Sequence, residues 1–301
     1  MPDPGRPLRF GSFLIPDAAR PGETLRLARL ADDLGLDLIG VQDHPYQARF
    51  LDTWTLLAVI AARTERVTVF PDVANLPLRP PAVLAKAAAS LDRLTGGRVE
   101  LGLGAGAFPE GIAAMGGVAR GRGEALSALE EAIALVRLVW SGRRGIRFEG
   151  RFYRLHGLHA GPVPAHPMGI WLGTYGPRGL GITGRLADGW VPSSPYAPPE
   201  VLGGMQRRID EAALAAGRDP ASITRLYNVF GHIGGEGGGP FEGPVERWVE
   251  TLTHLALEEG MDGFLFGPDR DVEAQLRLLA GEVIPRVRQA VDRARAGHDR
   301  A

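Results

Sequence analysis

Short apolar runs alternate with longer segments of helical period from one end of the chain to the other. The runs predict strands at 8–15, 36–43, 67–74, 98–104, 169–174, 189–193, 224–233 and 263–266. Amphipathic segments between them predict helices at 22–34, 53–63, 82–94, 123–140, 178–187, 199–216, 245–259 and 272–295. The strands are nearly continuous in apolar residues, without clean two-residue alternation, as when helices cover a parallel sheet. Eight strand–helix repeats with no internal linker predict an α/β fold, a (β/α)8 TIM barrel, as a single domain over residues 1–301. A doubly wound sheet would have fewer strands and a topological switch point. Helix punctuation agrees. Pro21 and Gly22 precede a first turn containing Glu23, and Gly35, Gly217 and Gly260 follow periodic runs where a left-handed terminating residue belongs.

Two segments exceed the repeat. Residues 141–168 contain RFEGRFYRL, which predicts a β-hairpin turning at Glu149-Gly150, followed by a connector rich in proline and histidine. Residues 234–244, GGEGGGPFEGP, form a glycine-rich loop after the seventh strand, either a lid on the C-terminal face or a plain flexible insertion.

Composition narrows the function. A net charge of −1 gives no electrostatic footprint for nucleic acid or an anionic membrane. No apolar run approaches the ~20 residues that span a bilayer. The absence of cysteine excludes disulfides, thiolate metal sites and cysteine nucleophiles. The N-terminal residues lack a charged stretch followed by a long apolar run, so the expected compartment is the cytoplasm.

Barrel enzymes place their chemistry at the C-terminal ends of the strands. Those ends carry Ile15-Pro16-Asp17, then Gln42-Asp43-His44-Pro45-Tyr46, then Asp72-Val73-Ala74-Asn75, then Gly104-Ala105-Gly106-Ala107-Phe108. Gly173-Thr174-Tyr175-Gly176 and Pro192-Ser193-Ser194 follow on strands five and six. His44 is the acid/base candidate, next to Asp43 and with an unperturbed pKa of ~6.5; it reads equally as a histidine packed beneath a cofactor. His156, His159 and His166 share the connector, but their spacing matches no helical metal pair, and no metal is expected. The run LGLGAG at 101–106 departs from the dinucleotide fingerprint spacing. Its nearly side-chain-free backbone still lets a phosphate or flat ring approach main-chain N–H groups, and TYGPRG at 174–179 is a second glycine turn opening a helix. Arg178 either adds charge there or faces solvent.

At these residues the chain resembles the bacterial luciferase-like family of flavin- and deazaflavin-dependent oxidoreductases. LIGVQDHPY (38–46), VTVFPDVANLPLRPPAVLAKAAASLDRLTGGRVELGLGAG (67–106) and IWLGTYGPRGLGITGRLADGWVPS (170–193) carry the resemblance. It implies a barrel with insertions, a homodimer and an isoalloxazine or deazaflavin ring in the barrel mouth. It also implies a bulge ending strand three with a non-proline cis peptide, here at Asp72–Val73 by its position relative to Arg79. The phosphate is implied against Gly104, Ala105, Gly106 and Ala107 and the loop Gly173, Thr174, Tyr175 and Gly176, with Ala187 and Asp188 on the far side; Asp43 and Asn75 border the ring. His44 matches the histidine close to the ring in relatives, and Tyr46 or Tyr175 orients substrate.

Two departures bear on substrate. The family's sugar-phosphate dehydrogenases place a glutamate directly after the strand-four glycines and a tryptophan after the strand-two histidine. Here Ala107 and Tyr46 stand instead, with Glu110 three residues beyond Ala107, which speaks against sugar-phosphate dehydrogenation. The leading expectation is hydride transfer between coenzyme F420 and a small organic substrate. The alternatives are a reduced-FMN monooxygenase using O2, which the lack of larger insertions disfavours, and a non-catalytic flavin-binding protein. Phe13, Phe108, Trp190 and Phe230 are expected to make the mouth apolar, or else to belong to the core.

Overall fold

The computed structural model describes residues 5–235 and 237–298. Its strands are β1 (Arg9–Leu14), β2 (Leu38–Val41), β3 (Thr68–Pro71), β4 (Ala74–Asn75), β5 (Leu101–Gly104), β6 (Ile146–Glu149), β7 (Arg154–Leu158), β8 (Ile170–Leu172), β9 (Gly189–Trp190), β10 (Thr224–Ile233), β11 (Glu242–Gly243) and β12 (Gly263–Pro268). Its α-helices are α1 (Pro21–Asp33), α2 (Thr53–Arg63), α3 (Pro81–Thr95), α4 (Pro109–Ala114), α5 (Arg122–Trp140), α6 (Pro177–Leu186), α7 (Pro199–Ala215), α8 (Val245–Leu257), α9 (Val272–Leu278) and α10 (Ile284–His298).

The main sheet runs β3-β2-β1-β12-β10-β9-β8-β5-β4 with parallel neighbours. A bridge between Val69 and Val99 closes it, through Val69 N–H to Arg98 O (3.0 Å) and Glu100 N–H to Val69 O (3.2 Å). Taken as one broken strand, β3 and β4 complete the barrel of eight. The helices around it bury the outward side chains, among them Phe10, Ile39, Val69, Leu101 and Leu172, in the main core.

Inward positions form a second apolar cluster of Leu38, Phe70, Trp171, Val191, Leu226 and Leu265. Phe70 meets Trp171 edge to face at 4.9 Å. This plug fills the barrel, so a ligand has room only at the C-terminal mouth.

Four expectations change in detail. The third strand, expected as 67–74, breaks at Asp72 and Val73. The hairpin β6–β7 pairs Glu149 with Arg154, so its turn is Gly150 to Tyr153 rather than Glu149-Gly150. Glu131 of α5 draws that turn inward by accepting from the N–H groups of Arg151, Phe152 and Tyr153. The last helix, expected as 272–295, is interrupted by a wide π-turn at Leu279–Val283. The glycine-rich loop is tied down by β11 and by buried Phe241, which packs on Tyr227 and Trp248.

Asp32 anchors the entrance to β3. Its buried carboxylate accepts from the N–H groups of Glu65 (2.7 Å), Arg66 (3.0 Å) and Val67 (2.9 Å). Burial opposes the charge, yet these donations outweigh it and hold the carboxyl below its ordinary range. Asp32→Ala is expected to cost about 2–4 kcal/mol in urea unfolding at neutral pH. Because the folded value is depressed, that difference should shrink as pH falls through it.

Candidate active site at the barrel mouth

The break in the third strand is a bulge, with the peptide Asp72–Val73 in the cis form that the resemblance implies. Five hydrogen bonds hold it. Asp72 N–H donates to Val41 O at 2.7 Å. The buried Asp43 carboxylate accepts from Asn75 N–H at 2.8 Å and from two Arg79 nitrogens, each at 2.7 Å. Arg79 also reaches Asp52, the N-cap of α2, at 2.7 Å. Burial opposes the Arg79 charge, but the two carboxylates outweigh it and raise the pKa. Asp43 therefore positions the bulge from outside the barrel.

Val73 lies against the ends of β5 and β8. A Cβ on Gly104 would stand 2.7 Å from Val73 Cγ2, and one on Gly173 would stand 3.2 Å away, so close approach demands glycine at 104. Since β5 and β8 are parallel neighbours, with Leu103 beside Leu172, their two turns share one rim. Gly104, Ala105, Gly106 and Ala107 lead into α4, with Gly106 at φ +90°. Gly173 to Gly176 lead into α6. Thr174 turns its hydroxyl away, onto Thr183 (2.8 Å), and its carbonyl accepts from Trp190 Nε1 (2.9 Å). This loop thus presents backbone and Tyr175 to the mouth.

His44 is half-buried, and its Nδ1 lies 2.8 Å from the Tyr46 hydroxyl. Burial lowers its pKa, and the Asp43 charge only partly offsets this. The Tyr46 ring meets Phe108 at 5.2 Å, and Phe13 meets Phe230 edge to face at 4.9 Å. At the same rim, the Tyr175 hydroxyl accepts from Ser193 N–H at 3.2 Å, and Ser193 Oγ accepts from Asn228 at 3.1 Å.

Several expected residues lie elsewhere. Ala187 and Asp188 precede β9 and sit at the N-terminal pole of the barrel, opposite the mouth. Ala187 is fully buried, and Asp188 is engaged with Ile170 N–H (2.9 Å) and Arg137 (2.9 Å). Trp190 is core rather than mouth. Arg178 turns from the glycine loop toward α5, donating to Gly123 O (2.8 Å) and Ser127 Oγ (2.7 Å). Ser193, expected at the end of the sixth strand, does belong to the mouth, and Asn228, which no sequence expectation covers, joins it. The signal for Asn228 is the inward series Leu226-Asn228-Phe230, where one amide interrupts apolar positions. A cleft of about 630 Å3 opens beside the mouth, sharing Phe13 and Phe230 with it; none of the glycine-turn residues lines it.

The chain matches the family described as luciferase-like monooxygenase over residues 8–236. It is 31% identical to an F420-dependent glucose-6-phosphate dehydrogenase of Nakamurella multipartita, over 95% of this chain and 98% of that one. It is also 31% identical to an F420-dependent hydroxymycolic acid dehydrogenase of Mycobacterium tuberculosis, over 74% of this chain and 62% of the other. In fold it is similar to an F420-dependent secondary alcohol dehydrogenase solved with an F420–acetone adduct (TM-score 0.83, 20% identity, 93% and 99% covered). The monooxygenase RslO1 of Streptomyces bottropensis is similar as well (TM-score 0.77, 21% identity, 92% and 99% covered).

Arg79→Met leaves the Asp43 charge buried and unpaired, and should cost about 3–5 kcal/mol in denaturant unfolding. In an NMR titration the His44 ring should protonate with a midpoint below 6.5.

Proposed function

Because the chain belongs to the luciferase-like monooxygenase family, we propose that it is an oxidoreductase transferring hydride between coenzyme F420 and a small, unphosphorylated organic substrate. The observation that carries this reading is the bulge at Asp72 and Val73, flanked at one rim by two side-chain-poor turns. The residues present fit a phosphorylated planar heterocycle. Buried oxygens of Asp72, Asn75 and Asn228 have no partner within the protein, as befits a polar ring edge, and the turns 104–107 and 173–176 offer backbone to a phosphate. When bound, F420 supplies a hydride acceptor or donor at the deazaflavin C5.

The chain's own residues hold the reactants and manage the proton. Val73 forms one wall, and Phe13, Phe108 and Phe230 keep the opposite side apolar. His44 is neutral near pH 7, and with Nδ1 engaged by Tyr46, its Nε2 exchanges the proton that accompanies hydride transfer. Tyr46 and Tyr175 orient the substrate. Oxidation of an alcohol should accelerate as pH rises through the lowered His44 value, since the base must be unprotonated.

Sugar phosphate is disfavoured as substrate although some relatives bear that name. Ala107 replaces the glutamate, and Glu110 is exposed in the first turn of α4. The adjoining cleft sets the carboxylates of Asp17, Glu23, Asp269 and Asp271 against Arg20, Arg49 and Arg270, an excess unsuited to a phosphate. Among the described residues no helix is long and apolar enough to cross a membrane. We expect a homodimer, on the family resemblance alone, and the cytoplasm, on the sequence reading alone.

Fluorescence titration with F420 and with FMN tests the cofactor. Binding of F420 is expected, and tight FMN binding without F420 affinity would replace this reading with the monooxygenase one. His44→Ala should lower turnover by about 10²–10⁴-fold with F420 affinity unchanged. Unchanged turnover would remove His44 from the chemistry, and F420 binding with no turnover of alcohols or carbonyls would favour a carrier.

A further inference from the structure

Asp72 does more than shape the backbone. Its side chain is 8% exposed, and its Oδ2 is buried with no hydrogen-bond partner. The carboxyl reaches across the barrel above the apolar plug. A Cβ on Gly40 of β2 would stand 2.9 Å from this oxygen and also 2.9 Å from Leu265 of β12. Asn228 of β10 is the polar side chain facing the carboxyl; its amide nitrogen donates to Ser193 Oγ at 3.1 Å, and its Oδ1 is likewise buried and unpartnered. Among the described residues no arginine, lysine or histidine pairs with Asp72. The titratable group that senses its charge is Tyr175 at the end of β8.

We infer that Asp72 is a neutral carboxylic acid in the resting protein, and that its Oδ2 donates a hydrogen bond to a carbonyl or ring-nitrogen acceptor of the heterocycle bound over the bulge. The donation rests on the F420 reading above; the proton on Asp72 does not. An ionised carboxylate here would leave a full charge facing Leu265 with only one amide to solvate it, which is far costlier than an uncharged acid. A neutral acid adds a buried donor where the unpartnered oxygens of Asn75 and Asn228 only accept. Burial pushes the carboxyl up to about 7, against the weaker pull of Asn228, in keeping with this arrangement.

The ligand-free arm of the test compares wild type with Asp72→Asn in thermal unfolding between pH 5 and pH 9. The folded protein holds its proton to higher pH than the unfolded chain, so wild-type stability relative to the variant should fall as pH rises toward 7 and then level off. A difference independent of pH overturns the inference. Should Asp72→Asn not fold, the 13C-labelled Asp72 carboxyl of the wild type decides the same point by NMR, with a midpoint near neutrality expected and one near 4 contradicting.

The ligand arm measures F420 affinity by fluorescence across the same range. Wild type should weaken by about tenfold per pH unit above the Asp72 midpoint, whereas Asp72→Asn, which keeps a donor but cannot titrate, should bind without that slope. The same slope in both proteins overturns the donation. Failure of the wild type to bind F420 overturns the functional reading and the donation together, while binding by the wild type and none by Asp72→Asn overturns the donation alone; the ligand-free arm still decides the proton.

Discussion

The ion pair between Asp43 and Arg79 spans the gap between the second and third barrel strands and fixes the backbone that follows the bulge. Asp43 is buried, and both its oxygens are used, by Arg79 and by the Asn75 N–H. Arg79 in turn grips Asp52, so the start of α2 and the end of β2 move with the bulge as one unit. Val73 can then press against Gly104 and Gly173 with little freedom, and the two turns that begin there acquire a fixed separation. An isolated surface pair could not do this, because side-chain entropy and screening would consume its small Coulombic gain.

Above this anchor the mouth mixes two chemistries. Aromatic pairs, Phe13 against Phe230 and Phe108 against Tyr46, stand beside a polar chain from Tyr175 through Ser193 to Asn228. The floor between them, at Asp72, lies on a dry plug of Phe70, Trp171 and Leu265. A flat redox ring suits such a site, with polar edge, apolar face and water excluded from below.

Much of this was legible along the chain. Parallel strands buried on both faces must be nearly all apolar, so eight such runs revealed the barrel, and short proline-bounded turns located the strand ends. Glycine at 104 and 106 was readable as close approach. What could not be read was direction across a strand or around the barrel. Asp43 and His44 are sequence neighbours, yet the carboxylate beside the histidine bonds Arg79 and the Asn75 N–H rather than the imidazole. Ala187 and Asp188 belong to a phrase that carries the family resemblance yet precede their strand, which puts them at the far pole. Trp190 alternates outward into the core. The break at Asp72 leaves one compositional mark, Pro71, which cannot donate to a strand ladder, and its position as a bulge came from the family resemblance rather than from composition. Asn228 was hidden inside a long apolar run.

A structure of the complex with F420 tests the central claim most directly. The account predicts the deazaflavin ring over Asp72 and Val73, with its phosphate between the turns at 104–107 and 173–176. Density for the ring in the cleft beside Arg20, Arg49 and Arg270, or a phosphate at the pole of Ala187 and Asp188, would contradict it.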